Sequence, residues 1–255
     1  MHLEYHRPQT IEAALQLLGR EQPLTLPLGG GAFLNATTRP ATLPQEDVAV
    51  VDLQALGLDD IVPRGNFVSL GAMVRLQTLL DADVPEGLKT AASQETTYTR
   101  RLTQTVAGTL VAADGISPFA AAMMALDARL TLQPNDETLL LGELYPFRWE
   151  HLRGKLITQI TVPANARLAV ETVAPSRLSQ PLVVVAVAQW PSGRTRVVVG
   201  GWGEAPHLAM DGPEAAGAEE AARNAAYEAG DHRASAEYRR EVAAVLTRRA
   251  LAALA

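Results

Sequence analysis

The sequence contains no cysteine. Disulfides, thiol nucleophiles, thiolate zinc sites and a self-ligated iron–sulfur cluster are therefore excluded for this chain. Long apolar runs are missing too. "LVVVAVA" (182–188) and "FAAAMMAL" (119–126) are the longest, far short of the ~20 residues that cross a bilayer, so no membrane segment is expected. The first residues, "MHLEYHRPQT", place histidine, glutamate and proline where a secretory signal needs a basic start and an apolar core. A cytoplasmic location is expected. Basic charge is also scarce. A formal net charge of −6 argues against a nucleic-acid footprint, which needs a concentrated basic face. The arginines near the C-terminus, Arg233, Arg239, Arg240, Arg248 and Arg249, read as a solvated helix face or a protein interface.

The usual enzyme templates are absent as well. No serine stands in a G-x-S-x-G setting. The five histidines never fall three or four apart on a convincing helix beside a carboxylate, so no metal is expected in this chain. Neither G-x-x-x-x-G-K-[ST] nor G-x-G-x-x-G occurs. No side chain is assigned a catalytic role.

What the chain has is 255 residues, 47% hydrophobic and 20% charged, ordinary globular composition and sufficient for two domains. "TIEAALQLLG" predicts a helix capped by Thr10, with Ile11, Ala14, Leu15 and Leu18 on one stripe and Gly19 as its stop. Strands are predicted at Leu24 to Leu28 and Val48 to Leu53, and between them lies "LGGGAFLNA", three consecutive glycines. Bare backbone at that density serves either a tight turn or close approach to a phosphate. "TVAGTLVAADG", 105–115, reads as a second loop of small residues. Two facing loops would suit the two phosphoryl groups of a dinucleotide, through backbone N–H donors. Ser117 and Pro118 then open a helix, and "KLITQITVP" reads as a strand closing the first domain. Beyond it, 168–173, 182–190 and 195–202 read as a three-stranded antiparallel sheet. Helices are predicted at 214–229 and 235–253, the latter with Tyr238, Val242, Val245 and Leu246 as its apolar stripe.

The order of these pieces resembles the FAD-binding medium subunit of the molybdenum hydroxylases, the carbon monoxide dehydrogenase and xanthine dehydrogenase family, nearly end to end. "YHRPQTIEAALQLL" is similar to the family's Y-x-R-P-x-S-x-E-E-A-L-x-L-L, and "LGGGAFLNA" to its first flavin loop, A-G-G-T-x-L-L. "TVAGTLVAADGISPFAAAMMALDARL" resembles its second loop and helix, and "DHRASAEYRREVAAVLTRRAL" its final helix. The resemblance implies an α+β architecture: a two-subdomain FAD-binding fold of the vanillyl-alcohol-oxidase type over 1–165, split near 55. A small domain of three-stranded sheet with helices follows over 166–255. It implies FAD bound by Leu28, Gly29, Gly30, Gly31, Ala32, Phe33 and Leu34 in the first loop, and by Thr105, Ala107, Gly108, Thr109 and Asp114 in the second. It also implies two partners, a molybdopterin-binding large subunit and a 2Fe–2S small subunit, with electrons passing through FAD to an external acceptor.

The sequence departs from the family pattern at several of these positions. Ala107-Gly108 replaces a glycine pair, Thr109 an asparagine or serine, and Pro118 an aspartate. "LYPFRWEHLRG" shortens the family's F-F-x-G-Y-x-x-T-x-L. These departures motivate a second reading, a flavin-free scaffold or assembly subunit of the same kind of complex.

Overall fold

The computed structural model describes residues 3–32, 48–176 and 179–255. Three sheets follow one another along the chain. The first is parallel, in the order β1 (Leu3–His6), β3 (Val48–Asp52), β2 (Leu24–Leu28), with helix α1 (Ile11–Leu18) crossing between β1 and β2. The predicted start of α1 is present: Thr10 Oγ1 accepts from Ala13 N at 3.2 Å. Ala14 and Leu18 are buried on its inner stripe.

The second sheet is antiparallel, in the order β4 (Ile61–Arg64), β5 (Phe67–Gly71), β8 (Leu156–Pro163), β6 (Arg129–Gln133), β7 (Glu137–Leu140). Its helices are α2 (Leu76–Leu80), α3 (Glu86–Glu95), α4 (Tyr98–Arg101), α5 (Val106–Ala112), α6 (Pro118–Ala125), α7 (Leu141–Leu144) and α8 (Arg148–Leu152). Ser117 caps α6, its Oγ accepting from Ala120 N at 3.0 Å with Pro118 in the first turn, as predicted. The predicted second loop, by contrast, is largely helical. Residues 106–112 form α5, capped by Thr105. Gly108 inside the segment lowers its helix propensity, and buried small residues give it no polar face to betray the period.

The third sheet has the order β12 (His207–Gly212), β11 (Thr195–Gly200), β10 (Val183–Gln189), β9 (Arg167–Val173), all antiparallel. Edge strand β12 adds to the three predicted; "HLAMDG" has neither β-branched density nor alternation. Helix α9 (Ala218–Ala225) starts later than predicted, because Gly217 sits at φ +79° and ends the preceding turn. Helix α10 (Ala236–Leu254) matches its predicted span, but the buried face is Arg239, Ala243, Leu246, Thr247, Ala250 and Leu254, while Tyr238 is exposed. Arg239 is therefore a correction to the solvated-face reading. It is fully buried, with Nη2 donating to both Asp231 oxygens at 3.0 and 2.9 Å and Nε to Leu182 O at 3.0 Å.

Strand β10 explains how the third sheet is attached. Its side chains alternate between two cores: Val183, Val185 and Val187 pack with α9 and α10, whereas Val184, Ala186 and Ala188 join the large core beneath α6. All eight residues of α6 are buried. Polar contacts reinforce this junction. Arg196 is buried, with Nη1 on Asp127 at 2.9 Å and Asp211 at 2.8 Å, and Gly201 N donates to Gly115 O at 2.7 Å.

Candidate functional site

A cavity of about 540 Å³ opens between the first and second sheets. Strand β2 runs along it and delivers the glycine loop to one end, so Gly29, Gly30, Gly31 and Ala32 line it. Opposite them stand Thr105, Ala107 and Gly108 at the start of α5, beside Ala72 and Met73. The remaining wall comes from the C-terminal end of α1 and from Trp149 to Ile157.

The two loops touch each other closely. A Cβ at Gly30 would come within 1.9 Å of Thr103 O and 2.6 Å of Gln104 Cα, so only glycine fits that crossing. Gly31 has φ +75°, a conformation that side chains rarely adopt. One of the three glycines thus serves contact between two pieces of protein backbone, and one turns the chain.

Donor accounting separates the loops. The N–H groups of Gly29, Gly30, Gly31 and Ala32 have no acceptor among the described residues. In the second segment each N–H is taken: Val106 by Val74 O at 2.8 Å, Ala107 by Ala72 O at 3.2 Å, Gly108 by Thr105 Oγ1 at 3.1 Å and Thr109 by Thr105 O at 2.8 Å. The two-loop clamp expected from the sequence therefore becomes an unequal pair, a donor array facing a wall. Thr105 Oγ1 accepts from Gly108, which leaves its own hydroxyl proton available to the cavity.

Of the other sequence-predicted residues, Leu28, Thr109 and Asp114 lie outside this lining. Leu28 ends β2, its carbonyl accepting from Leu53 N at 3.0 Å. Phe33 and Leu34 lie outside the described residues. Thr109 is buried with Oγ1 unpartnered. Asp114 makes a turn, its Oδ1 accepting from Ile116 N at 3.0 Å, beside the Gly115 segment that bonds to the third sheet. Burial raises its carboxyl value; the Ile116 N–H and the charges of Arg148 and Arg233 act in the other direction. Sequence reading gave no site role to Met73, Trp149 or the start of β8, all of which line the cavity.

The aspartate that Pro118 replaces has a carboxylate near its place. Glu95 Oε2 accepts from Ser117 Oγ at 2.7 Å and Phe119 N at 3.1 Å at the start of α6. Burial pushes Glu95 up to about 6, against the pull of those two donors, with Asp114 adding to the rise. A carboxyl raised on folding stabilises most below its unfolded value and loses that contribution as pH climbs through the folded one. Glu95→Gln should therefore gain on wild type by on the order of 2 kcal/mol between pH 4 and pH 8, read from urea midpoints at the two pH values. A constant difference would contradict the assignment.

Residues 1–165 match the family described as "FAD binding domain in molybdopterin dehydrogenase". The chain belongs to that family. Among curated proteins, the chain is 29% identical to "Uncharacterized protein YgfM" of Escherichia coli K12 over 249 residues, 95% of this chain and 93% of that one. Solved structures share its fold. Carbon monoxide dehydrogenase from Hydrogenophaga pseudoflava superposes with a TM-score of 0.81 at 23% identity, over 99% of this chain and 97% of that chain. Reconstituted CO dehydrogenase from Oligotropha carboxidovorans gives 0.81 at 24%, over 99% and 97%. Quinoline 2-oxidoreductase from Pseudomonas putida 86 gives 0.78 at 19%, over 99% and 96%. Among the described residues, no helix is long and apolar enough to cross a membrane, and no group of three or more His, Cys, Asp or Glu could hold a metal ion.

Proposed function

We propose that this chain is the FAD-binding, electron-transferring subunit of a molybdopterin-dependent dehydrogenase. It would take electrons from a 2Fe–2S partner subunit, themselves drawn from a molybdopterin-binding large subunit, and pass them to an external acceptor. Residues 1–165 would form the flavin domain, split near 55, and 166–255 the small C-terminal domain. The observation that carries the reading is the cavity with its unused donors. Gly29 to Ala32, four consecutive residues whose N–H groups have no acceptor among the described residues, line a cavity of about 540 Å³, and free backbone donors of this kind suit the negative charge of a pyrophosphate. The Thr105 hydroxyl adds a fifth donor from the facing wall. The residues present therefore fit the group. Bound FAD supplies the redox chemistry; the protein supplies position and electrostatics.

The test is retention of flavin. Purified chain incubated with excess FAD and then desalted should keep a flavin absorption band, and its FAD fluorescence should change in proportion to the protein. Desalted protein with no flavin would overturn the reading. The occupied N–H groups of residues 106–109 favour the second reading, a flavin-free scaffold of the same complex. That reading requires a flavin-free chain that still co-purifies with a large molybdenum-containing or an iron–sulfur partner.

A further inference from the structure

Helix α5 is flanked by close backbone crossings on both sides. Before its start, Gly30 of the glycine loop packs against Thr103 O, where a Cβ would come within 1.9 Å. Past its end, Gly115 meets the loop between β11 and β12: a Cβ there would come within 1.6 Å of Trp202 O. Gly115 N donates to Gly203 O at 3.0 Å, and Gly201 N to Gly115 O at 2.7 Å. The third sheet thus grips the segment that leaves the cavity wall. One side chain extends that grip into the helix itself. Arg148 Nη1 donates to Val111 O at 2.8 Å and Nη2 to Glu204 O at 3.3 Å. Val111 lies in the last turn of α5, where carbonyls have no partner within a helix, and Glu204 belongs to the same loop between β11 and β12. The guanidinium is half-buried and rests on the Tyr145 ring, 4.7 Å from its centroid. Arg148 does not line the cavity, whereas Val111 does.

Resting on the assignment of the cavity to FAD, we infer that Arg148 is a positioning residue through which the loop between β11 and β12 sets the α5 wall, so that seating of the third sheet and retention of the ligand are linked. Ala107, Gly108 and Val111 all line the cavity, and their spacings of three and four residues put them on one face of α5. A helix this short moves as a unit. A shift at Val111 is therefore carried to Ala107 and Gly108, one turn nearer the glycine loop. Arginine suits the task better than lysine, because its planar fork holds two carbonyls from separate elements at once. The link also runs backward. Whatever the third sheet adds to ligand affinity through Arg148, bound ligand must return to the seating of the third sheet.

That reciprocity supplies the readout, on the full chain. Residues 201–206 lie outside the cavity lining, yet FAD should slow their amide hydrogen exchange in wild type. Arg148→Met should lose this protection, and its FAD Kd should rise ~10-fold, within the usual range of such couplings. Arg148→Lys keeps a cation without the fork and should fall between the two; it decides the matter if the methionine variant does not fold. Arg194→Ala is the control for general loosening. Arg194 ties the third sheet to Asp127 at 3.1 Å, beyond the opposite end of α6, so its loss should lower the urea midpoint and leave the FAD Kd unchanged. Wild-type FAD affinity in Arg148→Met, or FAD protection of 201–206 that survives in it, overturns the inference. So does an equal rise in FAD Kd for Arg194→Ala. Each of these results leaves the cavity assignment standing. A wild-type chain that binds no FAD overturns both.

Discussion

Gly30→Ala is expected to abolish flavin retention and to lower stability by ~3 kcal/mol, the upper end of the usual cost of overpacking. The added Cβ would meet Thr103 O at 1.9 Å and Gln104 Cα at 2.6 Å. Both are backbone atoms, and neither can swing aside as a side chain would. Gln104 is itself fixed, its carbonyl accepting from Leu76 N at 3.0 Å. The glycine loop must therefore retreat from the wall, carrying the Gly29 to Ala32 donors with it. Gly57→Ala is the control. Gly57 has φ +64° and open space at its Cβ position, so it should cost about 1 kcal/mol of backbone strain and leave flavin binding intact. Urea unfolding and FAD titration of the two variants make the comparison; equal effects would remove the close crossing as the cause.

The second large effect is expected at Arg239→Ala. The guanidinium is fully buried and donates to Asp231, Leu182 O and Ala229 O. Removing it strands two backbone carbonyls and a carboxylate. Breaking a buried pair from one side commonly costs 3–5 kcal/mol, so a loss of ~4 kcal/mol is expected, with the melting of α10 from the third sheet as its structural sign. Trp202 would report it, because the Arg239 guanidinium lies 5.7 Å from its ring centroid. Arg233→Ala offers the contrast. Arg233 Nη2 reaches Gln180 O at 2.7 Å and Pro181 O at 3.1 Å from a half-buried position, and its loss should cost ~1 kcal/mol. Comparable losses at the two positions would show that burial is not what makes Arg239 important. Asp231 itself falls to about 2: burial works against its charge, but the Arg239 bond and the N–H groups of Arg233 and Ala234 outweigh it. Its contribution is thus present above pH ~4 and lost as the pH falls toward 2.

These two residues also mark what a sequence can reveal. Strong local signals survive into the structure: the Thr10 cap, the Ser117-Pro118 opening of α6 and the bounds of β2 all stand where the sequence puts them. Features that depend on a distant partner do not announce themselves. Arg239 sits in a charged helical stretch and gives no sign that Leu182 O waits 57 residues away. Trp149 becomes part of a cavity wall only when the fold brings the chain before β8 alongside the end of α1 and the glycine loop. The glycine run was conspicuous in the sequence, but its cause divides. Gly30 answers to the backbone at Thr103, a contact that no spacing rule contains. Thr105 was legible as a cavity residue; its task as the cap of α5, consuming the donors behind it, was not.

The division of β10 between two cores bears on how the chain is made. A ribosome that has released only the first 165 residues has supplied α6 without the Val184 and Ala186 surface on which that helix rests. Where domains fold one after another during synthesis, the flavin half of this polypeptide is left with one face of α6 unpaired until β10 and β11 emerge, although α3 already covers another.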